Sequence, residues 1–165
     1  MAWGKLDSTT LVADGDTISS TTMTSKKFNQ ILIHIITPSS GNTRAWSKFG
    51  NTSIDSGANY AQRYKDNGGT ENTNTSLDLG TFAGNLGIDS DHFSVRYMIN
   101  IATEEKLGIN FSVFRNTAGA GTAPSRTESV GKWVNTSAQF NLHQASNDEA
   151  GNFGTNSNVT IMGTD

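Results

Sequence analysis

Three histidines, His34, His92 and His143, are the only imidazoles in the chain, and they stand far apart. A zinc site draws on closely spaced His, Cys or carboxylate ligands. No His-x-His pair occurs here, and cysteine is absent from the sequence. Each histidine falls in a candidate strand, so the expected role is a structural imidazole. The segments Asp14-Gly15-Asp16, Asp89-Ser90-Asp91 and Asn147-Asp148-Glu149 are rich in oxygen donors. Calcium favours such loops, yet none has the twelve-residue spacing of an EF-hand. Asp and Asn also cap their own backbone in turns, which accounts for these segments equally well. Glycoside hydrolysis needs two carboxyls about 5–10 Å apart, a separation that a sequence does not display. No G-x-S-x-G elbow is present. Gly119-Ala120-Gly121 lacks the Lys-Ser/Thr sequel of a phosphate-binding loop and reads as a small-residue connection. No catalytic residue, metal ligand or cofactor is therefore expected, and the chain reads as a non-enzyme.

Aromatic and aliphatic side chains are the other possible source of function. Trp46, Trp133 and Tyr60 are candidate contacts for a ligand or a neighbouring protein. Flat rings stack on sugar faces, but large aromatics belong more often to a core or a subunit interface. The segment 28–37 is the most apolar in the chain. It places Phe28, Leu32 and Ile36 on one face of a strand and Ile31, Ile33 and Ile35 on the other. A strand apolar on both faces is covered on both sides or lies at an interface between copies. Ile31, Ile33 and Ile35 are accordingly expected at a subunit interface, in a homotrimer.

The elements that position these groups are strands. Helical periodicity is nearly absent, while two-residue alternation recurs between turn residues. Strands are expected over 17–23, 28–37, 44–49, 60–65, 75–79, 92–102, 107–114, 127–135, 138–145 and 158–162. Phe93, Val95, Tyr97 and Ile99 share one face, as do Leu107, Ile109, Phe111 and Val113. Asn67-Gly68-Gly69 marks a hairpin, because a type I′ turn needs positive φ. Thr103-Glu104-Glu105 marks a second hairpin tip, and 82–91 and 116–124 read as loops. About ten strands without a repeat or linker make residues 1–165 one all-β domain, an antiparallel β-sandwich of jelly-roll-like type.

Composition narrows the partners. The 165 residues carry 12 basic and 15 acidic side chains, a net charge of −3, with only 16% charged residues. No basic stripe suggests nucleic acid. The longest apolar run, 31–36, is too short to span a bilayer and is broken by His34. Met1 to Lys5 carry no apolar leader segment. Asn, Ser, Thr and Gly replace charge over much of the chain. Such a surface suits close-packed copies, where like charges would repel, and it suits sugar contact.

Several segments carry a resemblance. They are Asn100 to Leu107, Asn116 to Glu128, Gly131 to Phe140, and Gly151-Asn152-Phe153 with Ser157 to Asp165. Trp3 and the segments Phe49 to Thr52 and Asn59-Tyr60 belong to the same pattern. The chain resembles a group of short virion structural proteins of tailed phages, many of them marine. The resemblance implies a particle component made in the host cytoplasm and located in the virion. Capsid decoration through contact with the major capsid protein or other virion proteins is the expected role. A tail-fibre module recognising host glycan is the alternative.

Overall fold

Three isoleucines and the pleat they impose decide which way the main sheet faces. In the computed structural model, which describes residues 2–38, 42–76, 78–80, 91–115 and 118–165, β3 (Phe28–Ile35) turns Ile31, Ile33 and Ile35 fully inward. Its neighbour β13 (Asn158–Thr164) turns Val159 and Ile161 inward beside them. Directly paired residues in a sheet point to the same side. Pairing of β3 with β9 (His92–Ile99) sets Ile31 against Arg96, Ile33 against Ser94 and Ile35 against His92. Those three polar residues are therefore driven inward, and Phe93, Val95 and Tyr97 are driven out.

The sheet continues through β10 (Lys106–Phe114), β11 (Ser125–Trp133), β6 (Tyr60–Asp66) and β7 (Asn72–Ser76), while β1 (Gly4–Thr10) closes the other edge beside β13. Its eight strands run in the order β1-β13-β3-β9-β10-β11-β6-β7. A smaller sheet packs on its inner face. It pairs β2 (Thr17–Ser19), β12 (Leu142–Ser146), β4 (Trp46–Asn51) and β5 (Ser53–Ile54), with β8 (Leu79–Gly80) also on β4. All ladders are antiparallel. The all-β antiparallel sandwich expected from the alternation is the fold observed.

The expected hairpins form where the turn residues stand. Asn67 and Gly68 adopt φ of 50° and 74° between β6 and β7. The second tip joins β9 to β10. There Lys106, although buried, donates from Nζ to the carbonyls of Ala102, Glu104 and Asn135 at 3.3, 2.7 and 2.6 Å. Burial lowers its pKa, and the Glu104 carboxylate partly opposes that shift. Lys106→Met removes the donor from three carbonyls at once. It should cost about 2–4 kcal/mol, since each buried acceptor left unpaired costs about 1–3 kcal/mol and the added thioether recovers part of the loss. Urea unfolding of the variant measures it, and an unchanged midpoint would show the ammonium to be dispensable.

The core corrects two expectations. Ile31, Ile33 and Ile35 are 0% exposed and packed within the chain, so they are not available to a second copy. Their partners are Met98, Val159, Ile161 and the small sheet, not a subunit. The basis for a trimer on that strand goes with them. Tyr60 and Trp133 belong to the same core, and Trp46 is buried as well. None of these rings presents a face to a ligand. Three strands go beyond those expected, β1, β5 and β8, the last because the expected strand over 75–79 divides between β7 and β8. The first is an edge strand of Gly, Lys and hydroxyl residues with a register shift between Lys5 and Asp7. Nothing in its composition signals a strand.

Candidate functional site

Driving Phe93, Val95 and Tyr97 outward has a consequence across three strands. Ile109 pairs with Tyr97 on one side and Val130 on the other, and Phe111 pairs with Val95. Leu107, Ile109, Phe111 and Val113 are all about half exposed, from 45% to 55%. Phe93, Tyr97 and Val130 extend the same face at 44%, 42% and 51%. Phe28 and Leu32 of β3 border it, half-buried. Scattered apolar residues on a surface are ordinary. A contiguous apolar face larger than a few hundred Å2 marks a contact site. These half-exposed side chains offer on the order of 700 Å2, since a large aromatic presents about 150–250 Å2 in full.

Across this face runs a trough of about 730 Å3. Its floor is a register row whose side chains turn inward, Asn29, Met98, Gly108, Gly131 and Gln62. Its walls are the rows on either side, with Tyr97, Ile109 and Val130 facing Phe28, Ile99 and Leu107. Gly108 is required at the floor, because a Cβ there would stand 2.1 Å from Met98 Sδ and 3.0 Å from the Tyr97 carbonyl oxygen. Tyr97 Oη accepts from Gln30 Nε2 at 2.8 Å, which fixes the ring at the rim.

Charge is dense on one flank and sparse on the other, where Lys5 of the edge strand β1 lies beside Met162. The outer positions of β6 and β11 are Arg63, Lys65, Arg126, Glu128 and Lys132. Arg63 pairs with Glu71, Arg126 with Glu128 and Lys132 with Glu105. The opposite flank, on β3 and β13, offers Gln30, His34, Asn158, Thr160 and Met162, with no carboxylate, lysine or arginine.

The inner face of the same strands is polar but closed. Arg96, Asn110, Ser129 and Gln62 meet Leu79 around a gap too small for a water molecule. Burial pulls the Arg96 guanidinium down to about 9, and the Asp78 carboxylate resists that shift. His143 Nε2 lies 3.1 Å from Ser47 Oγ, with both side chains fully buried. The pair lies sealed in the sandwich, out of reach of a substrate. Burial pushes His143 down to about 3, with Arg96 adding repulsion, and does the same to His92, with a smaller push from His34. His34 is exposed on the outer face.

A second, polar groove of about 360 Å3 surrounds Asp55, beside Asn51, Ser53 and Asn135. The carboxylate is already engaged by Trp133 Nε1 at 2.7 Å, Gly57 N at 2.9 Å and Asn59 Nδ2 at 2.9 Å. Burial alone would raise this carboxyl, but those donors outweigh it and hold the pKa below the usual range.

The acidic segments serve the backbone. Asp14 Oδ1 accepts from Thr155 N and Oγ1. Asn147 Oδ1 caps Arg44 N, and Arg44 pairs with Asp148 and Glu149. Asp89 and Ser90 lie outside the described residues, as do most of the loop expected over 82–91 and Asn116-Thr117. Among the described residues, no three His, Asp or Glu side chains gather to hold a metal ion. The sequence reading named none of the outward residues as a site, although it placed Phe93 to Ile99 and Leu107 to Val113 each on one face. Eight apolar residues on one side of two adjacent strands, with Arg, Asn, Ser and Lys on the other, were the available signal.

No family model matches the chain, and no curated protein matches it. Among solved structures, it is similar to a double mutant of the alginate lyase Aly36B in complex with alginate tetrasaccharide. That pair is 10% identical, with a TM-score of 0.41, over 96% of this chain and 80% of that one. A second Aly36B double mutant, with alginate trisaccharide, is 11% identical with a TM-score of 0.38 over the same shares. A protein of unknown function from Shewanella oneidensis MR-1 is 10% identical over 74% of this chain and 58% of that one, with a TM-score of 0.17. Likeness this distant carries no chemistry to the present chain.

Proposed function

We propose that this chain is a structural protein of a phage particle, a capsid decoration or other particle-surface protein, and that it works by assembly rather than catalysis. The observation that carries the reading is the apolar outer face of β9 and β10, which the described residues of the chain leave uncovered. A free surface of that kind lowers its free energy by burial against protein, at roughly 25 cal/mol per Å2. The charge-poor composition and the resemblance of the second half to short virion proteins support the same role. A sugar-stacking tail module is less well supported, since of the three tryptophans Trp46 and Trp133 are buried and Trp3 alone stands exposed beside the trough. Ile109→Glu places a charge on the exposed face without disturbing the core. Incorporation into purified particles, followed by mass spectrometry, should fall at least tenfold in this variant. The chain's absence from wild-type particles, or equal incorporation of the variant, would overturn the reading.

A further inference from the structure

We infer that the partner of the apolar face is a second copy of this chain, packed face to face about a two-fold axis parallel to the strands. This rests on the assembly reading above and names the occupant of that site.

The area is of the right order. A standard stable interface takes about 800 Å2 from each partner, and the exposed apolar side chains here offer on the order of 700 Å2 before any rim contact. Sheets packed face to face keep their strands within about 30° and lie about 10 Å apart. A flat sheet face thus fits another sheet face.

Charge selects the arrangement. The outward apolar residues fall four on β9 and four on β10, with Phe28 and Leu32 on β3 and Val130 on β11. The apolar centre thus lies between β9 and β10. A two-fold axis along the strands at that point sets β9 over β10, β3 over β11 and β13 over β6, by the strand order of the sheet. The flank of β3 and β13, without carboxylate, lysine or arginine, then covers the charged flank of the other copy, where Lys65 lies beside the Arg63–Glu71, Arg126–Glu128 and Lys132–Glu105 pairs. An axis across the strands would instead set each strand over its own reversed copy and, centred on β11 (Ser125–Trp133), bring Arg126 of one copy against Lys132 of the other. Like charges so placed are destabilising. The axis along the strands thus makes an isologous contact in which no like charges oppose.

The register gives a specific meeting point. Thr160 pairs with Leu32, Leu32 with Val95, Val95 with Phe111, Phe111 with Glu128, and Glu128 with Lys65. These residues form one row, and rotation along the strands keeps each row in place. Thr160 of one copy therefore meets Lys65 of the other.

Sedimentation equilibrium of the full chain at micromolar concentration tests this. The expected species is a dimer of the 17.6 kDa chain, and Ile109→Glu should reduce it to a monomer that keeps its β-sheet circular dichroism and whose melt no longer depends on protein concentration. Thr160→Glu should tighten the dimer about threefold and Thr160→Lys loosen it by a similar factor, in the range of exposed ion pairs. Both effects should fade at high salt. A wild-type monomer at 100 µM, or equal weakening by both Thr160 variants, would overturn the inference. Should the Thr160 variants fail to fold, Met162→Glu and Met162→Lys, facing Arg63 in the next outward row, replace them. A monomer that still enters particles through Ile109 leaves the assembly reading standing. A dimer absent from particles does the reverse.

Discussion

Trp133→Ala should destabilise the protein by about 3–5 kcal/mol, the range for deleting a large buried aromatic. The ring is 1% exposed and stacks near Tyr60 and Phe49, with centroids 6.4 and 6.3 Å away. Its Nε1 donates to Asp55 at 2.7 Å. Loss of the indole opens a cavity between Tyr60, Phe49 and Lys106, whose Nζ lies 5.9 Å from the ring centroid. A domain of this size has about 5–15 kcal/mol of stability in all, so a large part of it would go. Trp133→Phe separates the two contributions. It keeps most of the packing but takes one of the donors from Asp55, and should cost about 1–2 kcal/mol. Equilibrium denaturation in guanidinium reads both. A tryptophan serving as a ligand platform would give the opposite pattern, an unchanged midpoint in Trp133→Ala.

Acidification from pH 7 to pH 5 should remove about 4 kcal/mol of stability, close to 2 kcal/mol from each of two histidines. His92 and His143 are held at about 3 when folded, against an ordinary value of 6.5. In the folded state both stay neutral throughout this window. In the unfolded chain both take up a proton as the pH falls below 6.5. The unfolded state therefore binds more protons, and stability present above pH 6.5 is lost progressively towards pH 3. The carboxylates titrate mainly below this window, which leaves the histidines as its source. Urea midpoints at pH 7, 6 and 5 give the slope directly. A flat profile between pH 7 and 5 would mean that the imidazoles are not buried neutral.

What the sequence made legible was periodicity. Alternation in 92–102 and 107–114 identified β9 and β10 and their shared faces. Asn67-Gly68 fixed a hairpin, because positive φ is a local demand. The direction of each face was not local. Taken alone, Phe93, Val95 and Tyr97 form the better inward face of β9, with Ser94 and Arg96 the better outward one. The pairing with β3 reverses this, since Ile31 and Ile33 cannot go in without Arg96 and Ser94. Only the register between two segments far apart in sequence carries that information. The same limit governs the aromatics. Tyr60, Trp46 and Trp133 are of types suited to core and surface alike, and what buries Tyr60 and Trp133 is the small sheet, to which Trp46 itself belongs. The isoleucines were recognised as requiring cover, and the cover is the chain's own interior.

The place of β13 in the large sheet sets a timetable for synthesis. This last strand lies between β1 and β3, and Thr10 pairs with Asn158. Strand β1 therefore has no neighbour in its sheet until about 150 further residues have been made, roughly 7–30 seconds at about 5–20 residues per second. The β9-β10-β11 meander needs only adjacent segments and can form well before that. Long-range pairing of the β1–β13 type is slow to form because the closure entropy of a long loop precedes its reward. A nascent chain thus keeps the β13 edge of β3, beside inward Ile31 and Ile33, unpaired for longer than a protein with local topology would. Yield in a host will depend on how many ribosomes carry that half-built sheet at once, and slower translation at lower temperature is the lever that follows.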